Sequence, residues 1–307
     1  MVSVSNFDLH VFKVVLILLC VLLGVAFLTL IERKLLSYIQ TRKGPNKVGV
    51  AGLLQPMADA LKLFLKELCV PYSSNSLLFL FFPIMGLALG LYVWGLLPSL
   101  FVLSWLKLSV LLFLCVSAMN VYVVFGAGWA SHSVYAFLGG LRASAQTISY
   151  EISLVFVLLF PLFLMYTFNL TDFLEGYPLL PLCFLSFMLW LLSSLAETNR
   201  APFDFAEGES ELVSGFNIEY GSGPFALLFL GEYTIILFMG CLTSTFYFGS
   251  GGTLLFCLWA LLVVFVFLIV RGVYPRYRYD KLMSLCWQSI LPLAMSCLTL
   301  VFVNFSL

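Results

Sequence analysis

The sequence has little charge and almost no histidine. Lys, Arg, Asp and Glu together make up 10% of its 307 residues, whereas soluble domains average roughly 25%. So low a charge content excludes an ordinary soluble globular protein. The only histidines are His10 and His132, so the sequence lacks the paired histidines of a membrane haem site.

The cysteines show none of the spacings of a metal site. There are eight, without a C-x-x-C pair, and most lie inside apolar runs, where Cys behaves as a small hydrophobic residue. The sequence therefore indicates no disulfide framework and no iron–sulfur ligand set. We expect this chain to hold no metal and no redox centre of its own.

Apolar residues dominate the chain, at 62%, and 31 residues are Phe. A helix needs about 20 apolar residues to cross roughly 30 Å of hydrocarbon at about 1.5 Å per residue. The sequence thus predicts an all-α integral membrane protein, a bundle of about eight transmembrane helices in which residues 1–307 form a single membrane domain. The predicted spans are 10–31, 77–98, 104–125, 147–168, 177–196, 223–246, 252–272 and 283–305.

The first apolar run is too long for the core of a signal peptide and lacks a small-residue cleavage pattern. No Arg-rich, Ser-rich transit sequence precedes it. We therefore expect this run to be the first span, and an organellar protein of this kind to be made inside the organelle.

Lys and Arg concentrate in alternate loops. Thirteen of the fifteen follow predicted spans one, three, five and seven, which leaves only Lys13 and Lys107 for the other side. By the positive-inside rule, these four loops face the bacterial cytoplasm or the mitochondrial matrix. Both termini then face away from that compartment.

Residues 53–68, LLQPMADALKLFLKEL, place apolar side chains at helical spacing, with Asp59, Lys62 and Lys66 on another face. About 16 residues rise roughly 24 Å, and the polar side chains are too many for a span. We predict an amphipathic helix along the membrane surface. Its role is either a lipid-binding anchor or one wall of an interfacial cavity. Asp59 and Lys62 are spaced to form a surface pair.

Three glutamates fall at or inside predicted spans. Glu232 lies near the middle of the sixth span, where a charge costs about 2.5–3.5 kcal/mol on insertion scales. Glu151 lies about one turn inside the fourth span, and Glu197 closes the fifth. Because burial favours the neutral form of a carboxyl group, the three are suited to a proton relay. The alternative is that Glu151 and Glu197 pair with Arg142 or Arg200 at helix ends.

The inside-facing loop 197–222 holds six of the fifteen acidic residues. Its glycines and prolines predict a structured loop rather than one long helix. Phe203, Phe205 and Phe216 favour burial and would draw the carboxylates into a partly dry site. A solvated acidic loop is the alternative.

The last basic loop, RGVYPRYRYDKL, mixes four basic residues with tyrosines. This composition is typical of an interfacial anchor. Contact with a partner subunit or an anionic ligand is the alternative.

Six strings in the chain are similar to the family of NADH dehydrogenase subunit 1, the membrane subunit of respiratory complex I at the junction with the peripheral arm. They are ERK at 32–34, GPNKVG at 44–49, QPMADALKLFLKE at 55–67, AQTISYE at 145–151, ETNRAPFDFAEGESELVSGFNIEY at 197–220 and YPRYRYDKLM at 274–283. Because they extend from the first loop to the last, the chain resembles this family over essentially its whole length.

The resemblance implies a subunit of proton-pumping NADH:ubiquinone oxidoreductase. Such a subunit forms part of the chamber for ubiquinone, the substrate, and couples its reduction to proton translocation through buried carboxylates. NADH, FMN and iron–sulfur clusters would belong to partner subunits, and this chain would bind no cofactor. The implied chamber residues are Arg33, Asp59, Lys62, Arg200, Glu207, Glu209, Glu211, Phe225 and Arg276. The implied proton path consists of Glu151, Glu197, Asp204, Glu219 and Glu232.

The resemblance also implies partners and a compartment. The partners are the quinone-reducing subunits of the peripheral arm, antiporter-like and small membrane subunits, and membrane lipid, without nucleic acid. The compartment is the mitochondrial inner membrane, with the termini facing the intermembrane space, and a bacterial plasma membrane is the alternative. Two other functions stay open: the homologous subunit of a hydrogenase-type complex and a stand-alone cation or proton transporter. The lack of an internal repeat disfavours the transporter.

Overall fold

The computed structural model describes residues 2–97, 107–204, 215–249 and 252–306, and the regular structure in these ranges is helical. The α-helices are α1 Val2–Ile39, α2 Gln55–Leu65, α3 Ser76–Trp94, α4 Ser109–Ala130, α5 Val134–Met165, α6 Leu170–Glu175, α7 Phe184–Glu197, α8 Ser222–Thr243, α9 Thr253–Val273, α10 Tyr279–Ser284 and α11 Leu291–Ser306. A π-helical turn at Ser244–Phe248 extends α8, and another at Leu285–Ile290 joins α10 to α11.

Seven helical segments of the described chain are long and apolar enough to cross a membrane. The prediction of an all-α membrane bundle is confirmed. The segments are Val11–Ile39, Ser76–Trp94, Ser109–Ala130, Val134–Met165, Ser222–Phe248, Thr253–Val273 and Tyr279–Val303.

The fifth predicted span, 177–196, is shorter than expected. Its helix, α7, begins only at Phe184 and has 14 residues, which rise about 21 Å. Pro178 and Pro181 precede it. Each proline lacks the N–H that a helix uses and disfavours helical geometry in the residue before it, so the chain stays irregular up to this point. The bundle therefore has one short apolar helix beside the seven long ones.

The fourth predicted span, 147–168, begins too late, because the polar residues before it continue the helix. Helix α5 has 32 residues from Val134. The amide nitrogen of its buried Gln146 has partners within the protein, since Nε2 donates to the carbonyl oxygens of Ala196 at 3.1 Å and Phe203 at 2.8 Å. Glu151 consequently lies near the middle of a long helix rather than about one turn from its end.

The amphipathic surface helix is α2, Gln55–Leu65, inside the predicted range 53–68. The turn before it requires a glycine, because Gly52 has a φ of +77° and a Cβ there would lie 2.0 Å from the Pro45 carbonyl oxygen. Lys34 Nζ of α1 donates to the Ala51 carbonyl at 2.6 Å. These contacts direct α2 back against α1 and α8.

Helix α8 packs most extensively against α3, and also against α1, α2 and α9. Gly86 and Gly90 form a G-x-x-x-G pattern that lets two backbones approach closely. An added Cβ on Gly90 would lie 2.3 Å from Thr234 Oγ1, and one on Gly231 would lie 3.2 Å from the Gly86 carbonyl. Glu232, the next residue, is thereby held beside the contact of α3 with α8, with its side chain 21% exposed.

The basic loops meet at one end of the bundle. Backbone hydrogen bonds join the Asn75 N–H to the Ala130 carbonyl at 3.2 Å and the Tyr277 N–H to the Pro202 carbonyl at 3.1 Å. The Tyr220 hydroxyl donates to the Ala127 carbonyl at 3.2 Å and links these two pairs. The loops after α2, α4, α7 and α9 thus share one end, as the alternation of basic residues predicts. We call it the basic end, made of residues 40–75, 131–133, 198–204, 215–221 and 274–278.

Candidate functional site

A cavity of about 480 Å³ lies among α1, α2 and α8 near the basic end. Its volume is typical of small-molecule sites, which measure about 300–1,000 Å³. Most of its lining is aliphatic or aromatic, including Phe225 and Phe229 of α8. We call it the charged cavity because five charged side chains also line it: Glu32, Arg33, Asp59, Arg200 and Arg271.

The more exposed charges of this cavity pair across two helices. Arg33 Nη1 of α1 lies 2.5 Å from Asp59 Oδ2 of α2, and the two side chains are 54% and 37% exposed. Gln55 Nε2 donates to the other Asp59 oxygen at 3.0 Å. Asp59 therefore pairs with Arg33 rather than with Lys62, the partner expected from the sequence.

The most buried charge of this cavity, Glu32, joins three helices. The residue is 4% exposed. Arg271 Nη1 of α9 donates to one carboxylate oxygen, and the Tyr233 hydroxyl of α8 donates to the other at 2.6 Å. Charge-assisted hydrogen bonds of this kind are roughly twice as strong as neutral ones, so they hold the cavity wall together.

Arg200 lies between the charged cavity and the glutamate of α8. Its guanidinium carbon is 4.3 Å from the centroid of the Tyr233 ring. Its Nη2 atom is 3.6 Å from Glu232 Oε2, and the Arg200 side chain is 10% exposed. This ion pair takes the place of the pairing of Arg200 with Glu197 that the sequence left open.

A smaller cavity, of about 30 Å³, is lined by both Glu197 and Glu232, and we call it the acid cavity. Glu197 is 5% exposed. Its Oε2 atom has no hydrogen-bond partner among the described residues. Glu151 of α5 is close enough to Glu197 for the two carboxyl groups to interact electrostatically. The three glutamates of the predicted relay thus lie in one cluster. Their role in moving protons stays a prediction.

The described parts of the acidic segment are packed rather than solvated. The Phe203 ring lies 6.2 Å from the Tyr150 ring and 5.7 Å from the Tyr277 ring, between centroids. Tyr220 stacks on Phe79 at 4.2 Å. Burial raises the pKa of Tyr220 well above its usual range, so its phenol stays neutral. The chain therefore forms a structured loop at residues 198–204 and 215–221.

Other predicted residues lie apart from the two cavities. Asp204 is 4% exposed, and its Oδ2 atom pairs with Arg276 Nη2 at 3.1 Å. Arg276 is outside the residues that line the charged cavity, as is Lys62, which is exposed on α2. Glu219 is half-buried shortly before α8.

Three predicted chamber residues cannot be placed. Glu207, Glu209 and Glu211 lie outside the described residues. Of the nine predicted chamber residues, the charged cavity thus includes Arg33, Asp59, Arg200 and Phe225.

Sequence reasoning missed three residues of the charged cavity: Glu32, Tyr233 and Arg271. Glu32 follows the end of a predicted span, and Glu197 was selected as a candidate on the same kind of position. The sequence therefore contains a signal for Glu32. Arg271 belongs to a loop whose composition is typical of an interfacial anchor. Tyr233 has no distinctive neighbours in the sequence other than Glu232. Their contact depends on how α1, α8 and α9 pack, which spacing along the chain does not contain.

This geometry defines a class of protein: a multi-pass helical membrane protein with a charged cavity near one end and, beside it, a cluster of glutamates that includes the buried Glu197. A family model described as NADH dehydrogenase matches residues 12–302. The chain belongs to that family, which confirms the resemblance drawn from the six strings.

Relatives in animals extend this match. The NADH-ubiquinone oxidoreductase chain 1 of Aedes aegypti is 54% identical over 287 residues, which cover 92% of each chain. The protein of the same name in Locusta migratoria is 49% identical over 298 residues, or 95% of each chain. That of Phascolarctos cinereus is 50% identical over 299 residues, or 94% of each chain. The chain is therefore similar to these relatives along nearly their full length.

Proposed function

We propose that this chain is the membrane subunit of a mitochondrial NADH:ubiquinone oxidoreductase complex and that its charged cavity forms part of the ubiquinone chamber. The names and animal origin of its relatives support the complex, the substrate and the inner membrane. They favour this function over a hydrogenase-type subunit or a stand-alone transporter. The observation that carries the proposal is the place of Arg200, which lines the charged cavity and also pairs with Glu232.

The lining of the charged cavity suits a quinone. The apolar walls, with Phe225 and Phe229, accept an isoprenoid chain and a flat ring. Reduction of the quinone takes two electrons and two protons, and negative charge develops on the headgroup before the protons arrive. Arg200 and Arg271 stabilise that charge. The electrons come from clusters in the quinone-reducing subunits, which dock at the basic end.

Coupling to proton movement is electrostatic. A negative headgroup attracts the Arg200 guanidinium, whose Nη2 atom is 3.6 Å from the Glu232 carboxylate. Buried charges at this range interact by several kcal/mol, so weakening the ion pair favours protonation of Glu232. Glu197 shares the acid cavity with Glu232 and interacts with Glu151, so the protonation of one carboxyl changes that of the others.

The path then continues towards the other membrane subunits. Glu151 passes the perturbation to the antiporter-like subunits, and Asp204 and Glu219 connect the cluster to the acidic loop that holds Glu207, Glu209 and Glu211. Because Lys and Arg concentrate at the basic end, this end faces the matrix, and the termini face the intermembrane space.

Replacing Glu232 by Gln in the intact complex tests the proposal. The variant keeps the shape of the side chain but removes the charge that pairs with Arg200. We expect ubiquinone reduction and proton translocation both to slow by about tenfold or more, because a group that transfers protons is lost. The rates are measured in membrane vesicles, with NADH oxidation followed by absorbance and translocation by a pH-sensitive dye.

Glu175→Gln is the matched control. It makes the same chemical change at an exposed carboxylate of α6, away from both cavities, and we expect wild-type rates. If Glu232→Gln also kept wild-type rates, its place in the path would have to be abandoned. Copurification with hydrogenase subunits instead of NADH-oxidising ones would replace the proposed complex with the alternative.

A further inference from the structure

A third cavity, of about 20 Å³, also borders Glu197. Most of its lining is apolar and comes from α3, α4 and α8, but Ser117 and Asn120 of α4 contribute polar groups. Three residues line both this cavity and the acid cavity: Asn120, Glu197 and Ile235. Asn120 is thus the uncharged polar side chain that borders both small cavities next to Glu197.

The Glu197 carboxyl group is not fully hydrogen-bonded by the described protein atoms around it. Its Oε2 atom is buried without a hydrogen bond among the described residues. A buried polar group in that condition costs about 1–3 kcal/mol, and more when it is charged. An ionised Glu197 therefore depends on whatever solvates it from the two small cavities.

Both cavities are large enough for water. A buried water needs about 10–15 Å³ of such space and two to four polar partners, so volumes of about 30 and 20 Å³ accommodate about two waters and one. In the acid cavity the partners are Glu197, Glu232, Asn120 and Asn199, whose Oδ1 atom is also buried without a partner in the described chain.

The third cavity offers a smaller set of partners, from Glu197, Asn120 and Ser117. The Ser117 hydroxyl donates to the Leu114 carbonyl at 2.9 Å, so its oxygen can still accept a hydrogen bond. The Asn120 amide both donates and accepts, which allows it to bond a water on either side of Glu197 in either protonation state.

We propose that Asn120 is a positioning residue for Glu197, whose amide, with water held in the two small cavities, solvates the Glu197 carboxyl and sets how fast it exchanges a proton with Glu232. The inference rests on the proposed proton path. It adds a residue of α4 that is neither acidic nor part of the charged cavity.

The experiment compares three variants in the intact complex. Asn120→Leu is close to the natural volume but removes the donor and the acceptor, whereas Asn120→Ser keeps a group that both donates and accepts, a hydroxyl. Met119→Leu is the control, because Met119 is 57% exposed and borders neither cavity. The readouts are the rate of proton translocation, the solvent deuterium isotope effect on turnover, and the infrared carboxyl band that Glu197→Gln removes.

We expect Asn120→Leu to slow translocation about tenfold, the factor that one hydrogen bond to a charged group is worth. The isotope effect should increase, since proton transfer limits turnover more strongly, and the Glu197 band should shift. Asn120→Ser should recover most of the rate. A purely structural role for Asn120 would leave the band and the isotope effect unchanged.

The inference is overturned if Asn120→Leu matches Met119→Leu in all three readouts while Glu232→Gln still impairs turnover. If instead Glu232→Gln and Glu197→Gln both keep wild-type rates, the proposed proton path fails, although a band shift in Asn120→Leu would still show that Asn120 positions Glu197. Should Asn120→Leu prevent assembly, Asn120→Ala, which keeps the cavities open, decides the question by the same band.

Discussion

The charged cavity and the acid cavity differ most clearly between Glu32 and Glu197, since Glu232 of the acid cavity is itself paired with Arg200. In the charged cavity, Glu32 accepts from Arg271 and Tyr233, and Asp59 accepts from Arg33 and Gln55. In the acid cavity, the Glu197 carboxyl is 5% exposed and its Oε2 atom has no partner among the described residues. Arg200 links the two cavities, since it lines the charged cavity and pairs with Glu232 of the acid cavity.

The difference indicates a division of tasks. A buried ion pair resists change, because removing one partner leaves an uncompensated charge. The walls of the charged cavity are thus suited to hold one shape around a ligand. A buried carboxyl group without fixed partners loses no ion pair when it takes up a proton. The acid cavity is thus suited to a group whose protonation must change during turnover.

The largest effect on stability is expected from Glu32→Ala. It leaves Arg271 and Tyr233 without their acceptor and should lower the free energy of unfolding by about 3 kcal/mol, the low end for breaking a buried pair. Thermal unfolding of the purified protein in detergent measures the loss. Asp280→Ala is the control, because Asp280 and Arg278 are 70% and 76% exposed, and we expect a loss below about 1 kcal/mol. Equal losses in the two variants would show that the Glu32 pair does not hold the wall.

An intermediate effect, on activity rather than stability, is expected from Glu197→Gln. Proton translocation should decrease about tenfold or more, because the amide cannot exchange the proton that the relay requires. The free energy of unfolding should change by less than about 1 kcal/mol, since no ion pair is broken. Dye-based translocation assays and thermal unfolding measure the two quantities. A loss of stability as large as that of Glu32→Ala would remove the contrast between the cavities.

The smallest effect is expected from Asp59→Ala. The pair with Arg33 is exposed enough that stability should change by no more than about 1 kcal/mol. Ubiquinone binding should weaken, with KM about fivefold higher and kcat nearly unchanged, as for the loss of about one hydrogen bond. Steady-state kinetics with a soluble quinone measure both constants, and Asp280→Ala should leave them unchanged. Normal KM and normal inhibitor sensitivity would exclude Asp59 from the chamber.

Much of the fold follows from composition alone. Apolar runs of about 20 residues predict spans because hydrocarbon accepts only segments that satisfy their own backbone groups. The same rule fails at α7, where Pro178 and Pro181 delay the start of the helix to Phe184. It also misplaces Glu151 within its helix, because α5 continues through polar residues such as Gln146, whose Nε2 atom donates to α7 and to the loop after it.

The candidate site was predicted in part, for a related reason. A charge inside an apolar run is costly wherever the run packs, so Glu151, Glu197 and Glu232 could be identified from their neighbours in the chain. Tyr233 and Asn120 could not. A tyrosine or an asparagine in an apolar helix has several ordinary roles, and only its neighbours in space distinguish them.

The sequence by itself determined that this protein is a helical membrane bundle, that its basic loops share one end, and which carboxyl groups are costly to bury. Those properties depend on local composition, which the chain contains in full. The tertiary structure decided that Glu32 is paired with Arg271, that the Glu197 Oε2 atom is left without a hydrogen bond, and that Arg200 lies between the two cavities. Pairing depends on which helices touch, and Glu32 meets Tyr233 and Arg271 because α1 packs against both α8 and α9.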